Sequence, residues 1–512
     1  MTDKNWNTAD ETEFEAMLSE SLDTLPPADV TEGVTPWRKA MSQVLWGCAL
    51  TSLTFNFLLL NYILPAIGTM LMFLGFRTLR RENRWFKLCF LSSAVRVALT
   101  MSLLTLNATI YSSRVYQSIF SSWLEILMFF LNMSLFFCLW RGLKAVKSKT
   151  DCEIGTGSAA ALIVWYLIIV ALAIAGYQGL IIGGIVIICY IFIIRSLFKL
   201  SKALDEAGYG IDAAPVTLSD LNVSAISASV TAALMLCGYL FFCKYPMDWQ
   251  PVKSGMTEKA ETIKAELLTL GFPENILSDL SEEDILSMEN PIEVAVDVMD
   301  HPMNEGREVR KVSPNGDGRT ISISTVYDVK ELRVTGIAVR LSGERENWKI
   351  IQHFEWVVTP DFSGTESVRI IPASHLDEWD LNSGFSGRLL YDKEGETYIA
   401  PYVSLGEESY TSNSIFWGDQ AQQDVFAAFS MPNDGENHRG YVCYTIESNR
   451  PEVVTIIDSW FFYAHQQNLL QYPVMTATER QKISFYMGRD CFVTADDALQ
   501  LYPYEEKADI LN

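Results

Sequence analysis

The stretch "SQVLWGCALTSLTFNFLLLNYILPAIGTMLMFLGFRTLRRENRWFK", residues 42–87, decides how the chain is organised. Its first 35 residues, 42–76, form one apolar run. A membrane-spanning helix needs roughly 17–25 mostly apolar residues, so this run is too long for one untilted crossing. Pro65, followed by Gly68, supplies a break within "NYILPAIGT" and predicts two helices, at 43–62 and 63–79. Arg77 lengthens the second by snorkelling to the interface. Outward from this pair, apolar stretches predict further crossings at 88–108, 119–140, 158–176, 178–194 and 222–243, seven in all.

Basic residues orient the bundle, because Lys and Arg collect in cytoplasmic loops. Arg38 and Lys39 precede the first helix, and Arg80, Arg81, Arg84 and Lys87 follow the second. Arg141, Lys144, Lys147 and Lys149 follow the fourth; Arg195, Lys199 and Lys202 follow the sixth. The intervening loops hold only Arg114 and the turn "GYQG" at 176–179. A cytoplasmic N-terminus and an exported C-terminal part are therefore expected. The acidic start and late first apolar run predict no cleaved signal peptide.

Charge divides along the same lines. Residues 1–37 carry one basic and nine acidic side chains, residues 38–249 seventeen and nine, and residues 250–512 twenty-one and forty-four. A net charge of −23 argues against nucleic acid as a partner, since phosphate binding needs a basic surface. The sequence thus divides into an acidic tail (1–37), a helical membrane domain (38–243), a linker (244–256), a small helical unit (257–290) and a β-rich exported domain (291–512).

In the tail, Thr8 and Glu11 fit a capping box, and Phe14, Met17, Leu18, Leu22 and Leu25 form a helical apolar stripe ended by Pro26–Pro27. So short a helix needs a surface, and a cytoplasmic protein is the expected partner if the tail is more than solvated chain. In the small helical unit, Ile263, Leu267 and Leu270 share a face, Gly271 suits a C-cap, and Ser281 with Asp284 opens the next helix. Strand patterns at 319–327, 331–341, 348–358, 424–430, 439–447 and 452–463, separated by turn clusters, predict an antiparallel sandwich or open barrel.

Candidate chemistry is sparse. "SPNGDGR" at 313–319 resembles the start of a calcium loop but has Ser313 and Ser324 where carboxylates are needed, so a hairpin turn is the better reading. The five histidines show no zinc spacing, and no nucleotide motif is present, so no cofactor, metal or catalytic residue is singled out. Within the membrane, Arg96 and Glu125 are the ionisable groups that stand out, and an intramembrane pair is expected of them. Gly179, Gly183 and Gly184 predict close helix packing. Cys443 and Cys491 are the thiols left in the exported part, either bonded or separately buried. Trp348, Trp356, Trp379, Trp417 and Trp460 form either core or a stacking platform for an envelope or cell-wall ligand.

The segments "LNYILPAIGTMLMFLGFRTLRRENRWFK", "LGFPENILSDLSEEDIL" and "HRGYVCYTIESNRPEVVTIIDSWFFYAHQ" resemble uncharacterised multi-pass membrane proteins of Gram-positive-type bacteria. The resemblance implies a bacterial plasma membrane and no particular activity. Three functions follow as expectations: a sensor or regulator signalling through its tail, a transport or envelope-assembly component using Arg96 and Glu125, and an exported hydrolase with an unrecognised site.

Overall fold

The computed structural model describes residues 36–52, 58–150, 155–177, 179–207, 209, 217–252, 255–303, 307–315, 318–326, 332–414, 418–449, 456–468, 470–483 and 490–502. The tail stripe Phe14–Leu25, Trp417 and Gln178 lie outside these residues. The chain divides into two units: residues 1–106 with 114–236, and residues 107–113 with 237–512.

The first unit is helical: α1 (Pro36–Ser52), α2 (Leu60–Leu79), α3 (Arg84–Leu106), α4 (Ser112–Gln117), α5 (Ile119–Lys147), α6 (Gly157–Ile174), α7 (Leu180–Glu206) and α8 (Asp220–Phe241). Six of these, α2, α3, α5, α6, α7 and α8, are long and apolar enough to cross a membrane. The break after α1 differs from the expected one. Pro65 lies inside α2, while the chain turns near Leu58 and Leu59, whose φ angles are +49° and +59°. Leucine rarely adopts that left-handed region, so the sequence carries no turn signal there.

Chain reversal brings α1 and α2 together antiparallel. A Cβ on Gly68 would lie 2.8 Å from the Gly47 carbonyl oxygen, and one on Gly75 would lie 2.5 Å from that of Ala40. Glycine at these positions lets the backbones touch, which replaces the missing hydrophobic drive between helices in lipid. Asn83 caps α3, its Oδ1 accepting from the Trp85 and Phe86 amides at 3.0 and 2.9 Å. Contacts run α1–α2–α3–α5–α6–α7 and back to α1, closing a ring of six helices. One apolar cluster, including Cys48, Phe76, Phe86, Leu139, Trp165 and Tyr190, fills it.

That filling stops part-way along the helices. The fully buried residues of α3 lie between Phe86 and Arg96, those of α5 between Leu135 and Val146, those of α6 between Ala159 and Trp165, and those of α7 between Tyr190 and Leu204. None lies in 97–106, 119–134, 166–174 or 181–189. Full burial is therefore confined to the end carrying the basic loops.

The second unit is built on antiparallel sheet. Its strands are β1 (Gln250–Pro251), β2 (Pro291–His301), β3 (Arg307–Asn315), β4 (Gly318–Val326), β5 (Leu332–Leu341), β6 (Asn347–Trp356), β7 (Glu366–Ile371), β8 (Trp379–Leu381), β9 (Ser386–Lys393), β10 (Glu396–Ala400), β11 (Ser404–Ser414), β12 (Gly418–Phe429), β13 (Glu436–Ser448), β14 (Ile457–Gln466) and β15 (Phe492–Leu501). One sheet runs β1-β10-β9-β13-β6-β5-β2 with β8 beside β13, and another runs β11-β12-β7-β14-β15. β3 and β4 form a hairpin in which Asn315 pairs with Gly318, agreeing with the turn reading of "SPNGDGR". The expected linker 244–256 contains β1, which pairs with β10, while Trp249 packs on Tyr391.

Strand alternation distributes the core. Trp348, Ile350, Phe354 and Trp356 of β6 join Val442 and Tyr444 of β13 in one apolar cluster with Val368, Phe429, Phe461 and Tyr463 of the other sheet. Three of the predicted tryptophans, Trp348, Trp356 and Trp379, are buried. The intervening residues Ile351, Tyr441 and Cys443 face a second cluster, built with helices α9 (Glu258–Thr269), α10 (Glu274–Asp279) and α11 (Glu282–Leu286). Thr257 caps α9 and Ser281 caps α11 with their side chains, and Gly271 turns the chain at φ +91°.

Candidate functional site

In the second unit, buried charges meet where α10 and α11 rest on the large sheet. Alternation puts Lys349 and His353 of β6, and Arg439 and Tyr441 of β13, on the helical side. Asp279, at the end of α10, contacts His353 Nε2 at 3.0 Å and accepts from Arg439 Nε at 2.9 and 3.0 Å. Arg388 donates to the Asp279 and Leu280 carbonyls at 2.9 and 3.0 Å. One turn on, Asp284 accepts from the Ser281, Tyr441 and Ser386 hydroxyls, each at 2.6 Å, and lies 3.8 Å from Lys349 Nζ.

Burial pushes the Asp284 carboxyl up, but the hydroxyls of Ser281, Ser386 and Tyr441 and the Lys349 charge outweigh it and hold it below the usual carboxylate range. Burial pushes the neighbouring Cys443 thiol up to about 12, so it is a packed hydrophobe rather than a nucleophile. Both carboxylates are saturated by the protein itself. They clamp the helices to the sheet.

A second acid, Glu366 of β7, faces His465 of β14, with Oε1 2.8 Å from Nδ1, while Oε2 is buried without a hydrogen bond among the described residues. Burial raises this carboxyl above its ordinary range despite the nearby His465. Cys443 and Cys491 are both buried and lie in different apolar clusters.

The helical unit contains the opposite situation. Arg96 is 6% exposed, yet among the described residues no ion pair or hydrogen bond engages it, and its Nε is buried without a partner. The groups within electrostatic reach are the Cys48 thiol and the Tyr166 and Tyr190 hydroxyls, none of them a carboxylate. They come from α1, α6 and α7, which with α3 are four helices of the ring. Tyr190 donates to the Cys48 carbonyl at 2.6 Å and stacks on Trp165 with ring centroids 4.2 Å apart. Asn132 of α5 donates to the Tyr166 hydroxyl at 3.0 Å.

Glu125 is not joined to Arg96 among the described residues. Ser92 Oγ donates to the Leu131 carbonyl at 3.3 Å, and Cys89 Sγ lies 3.6 Å from that of Leu135, which sets the antiparallel register of α3 on α5. Continuing that register at about 1.5 Å per residue leaves Glu125 within roughly a turn of Arg96 in depth. Facing separates them: Glu125 is exposed in the unfilled half of α5, and Arg96 is buried on α3. Of the predicted packing glycines, Gly183 and Gly184 would offer a Cβ no atom within 4 Å, and one on Gly179 would strike the Tyr177 ring.

Sequence reasoning missed Arg77 as a clamp. It donates to Asp220 Oδ1 at 2.6 Å and to the Leu218 carbonyl at 3.0 Å, holding the start of α8, with Gln43 of α1 donating to Asp220 Oδ2 at 3.1 Å. The signal was present, since Asp220 is an acid at a helix start, where the helix dipole favours it.

No protein-family model matches the chain, and none of the curated proteins does. Solved structures include a similar chain described under "pH-induced modulation of Streptococcus parasanguinis adhesion by Fap1 fimbriae", at 8% identity and TM-score 0.17, covering 34% of this chain and 75% of that one. A likeness this loose carries no argument.

Proposed function

We propose that this chain is a seven-crossing protein of the bacterial plasma membrane, with α1 the first crossing, its N-terminus cytoplasmic and its sheet unit a sandwich outside. We further propose that the working part is the helical unit, in a transport or envelope-assembly role. One observation supports the topology: the antiparallel α1–α2 pair brings Arg38 and Lys39 to the same end as the basic segment after Arg77.

The role is carried by Arg96. An unpaired charge in a bilayer is costly, and such residues usually face a substrate path or a partner. The sensor reading needs the tail stripe of Phe14, Met17, Leu18 and Leu22 as its output, and no observation on the described residues favours it. The hydrolase reading is not favoured either, because Asp279 and Asp284 are occupied in holding helices to the sheet.

Reporter fusions and complementation test the proposal together. A reporter active only outside should be silent after Lys87, Lys147 or Lys202 and active after Lys253. Membrane-inserted Arg96→Ala should fail to restore the phenotype of a deletion strain, whereas Met17, Leu18 and Leu22 replaced by Ser should restore it. The reverse pattern would return the function to the tail.

A further inference from the structure

We propose that Arg96 forms the floor of a binding site for a single oxyanion, a carboxylate or a phosphodiester, reached through the unfilled half of the helical ring. The inference rests on the reading that the helical unit is the working part, and it names what that unit takes.

Charge comes first. Arg96 is 6% exposed and, among the described residues, meets no carboxylate and no hydrogen-bond acceptor. A guanidinium buried in this way needs a counter-charge, and its planar fork matches the two oxygens of a carboxylate or phosphodiester. One guanidinium with no second cation beside it among the described residues balances one negative charge, so a monoanion fits better than a dianion.

The surrounding hydroxyls agree. The Tyr166 oxygen already accepts a hydrogen bond from Asn132 Nδ2 at 3.0 Å. Its own O–H is therefore left to donate, and among the described residues it donates to no acceptor. Tyr190 is held by its bond to the Cys48 carbonyl at 2.6 Å and by Trp165, so its hydroxyl is already engaged.

Access comes last. Arg96 is the final buried residue of α3 before the stretch 97–106, where none is fully buried. The corresponding stretches of α5 and α7, 119–134 and 181–189, likewise hold no fully buried residue. An anion entering through that half is either the headgroup of an amphiphile or a small soluble anion, and both satisfy the same guanidinium.

The test uses the full-length protein in phosphatidylcholine nanodiscs and follows its thermal midpoint. Three probes are each paired with a neutral counterpart: oleate with oleyl alcohol, phosphatidylglycerol with the phosphatidylcholine background, and butyrate with butanol. At saturation, at least one anion should raise the midpoint by about 3 °C or more while its counterpart does not. Arg96→Gln should abolish that rise, and Arg96→Lys should retain part of it. A rise with oleate or phosphatidylglycerol identifies a membrane source, and a rise with butyrate alone a soluble one. No rise with any anion, an equal rise with the neutral counterpart, or an equal rise in Arg96→Gln overturns the proposal. If Arg96→Gln does not fold, the comparison of anion with counterpart in the wild type decides. Binding of an anion by a protein whose Arg96→Ala variant still complements would remove the transport or assembly role and keep the site. Failed complementation without binding would do the reverse.

Discussion

Asp284 and Arg96 are buried alike, at 5% and 6% exposure, and their surroundings differ in kind. Asp284 accepts from three hydroxyls and lies near Lys349. Arg96 has, among the described residues, neither acceptor nor acid. Removing water from a charge costs several kcal/mol, so each must be compensated. At Asp284 the protein compensates the charge itself, and the result is a clamp. At Arg96 the compensation is absent from the described protein groups, which is what a site awaiting an anion requires.

The largest expected effect lies on the saturated side. Asp284→Ala would strand Lys349, Tyr441, Ser281 and Ser386 and should cost about 3–5 kcal/mol, read as a lowered unfolding midpoint with loss of amide protection in α10 and α11. Acid should mimic it. Because the folded carboxyl lies below its unfolded value, its contribution is present above about pH 4 and is lost as pH falls through the folded value. Were Asp284→Ala neutral, the contrast between a saturated and an unsaturated charge would lose its meaning.

A smaller effect is expected at the clamp on α8. Arg77→Ala should cost about 1–3 kcal/mol by removing the charged donor to Asp220 and the donor to the Leu218 carbonyl, with Gln43 still on Asp220. Amide exchange should rise at 217–222 and stay unchanged in α5 and α6. A uniform rise would mean that Arg77 supports the whole ring.

Glu366 lies between the two extremes, with one oxygen partnered and the other, among the described residues, not. Glu366→Gln should stabilise the sheet unit by about 1–2 kcal/mol at pH 7, because it removes a buried, half-satisfied charge. The sign with pH is opposite to that of Asp284. A carboxyl raised in the folded state makes stability fall as pH rises from about 4.3 through the folded value, and the Gln variant should lack that slope. A loss of stability at pH 7 would show the His465 contact to be a net favourable ion pair.

Much of this contrast could be read in the sequence only in part. Long apolar stretches and basic loops were enough to locate α3, α5, α6, α7 and α8, because bilayer thickness imposes length and composition. The turn after α1 was misread, since Pro65 is tolerated within α2 and the reversal uses leucines in a left-handed conformation. Strand β11, "SLGEESYTSNS", has no apolar alternation to signal it, because it lies at the edge of its sheet. The cap at Ser281 follows local chemistry and was accessible through its spacing to Asp284. Arg96 and Glu125 stood out by charge and depth, but the face a residue presents in a bundle depends on neighbouring helices. Sequence therefore suggested a pair, and among the described residues no ion pair joins the two groups.

The most direct test of the account replaces Arg96 with Met and compares thermal stability with the wild type in neutral phosphatidylcholine nanodiscs carrying no anion. Methionine keeps much of the side-chain volume and removes a charge that no described group compensates. The account predicts a variant more stable by about 1 kcal/mol that no longer responds to oleate, phosphatidylglycerol or butyrate. A variant destabilised by several kcal/mol, as expected of Asp284→Ala, would mean that the protein already compensates Arg96, and would contradict the central claim.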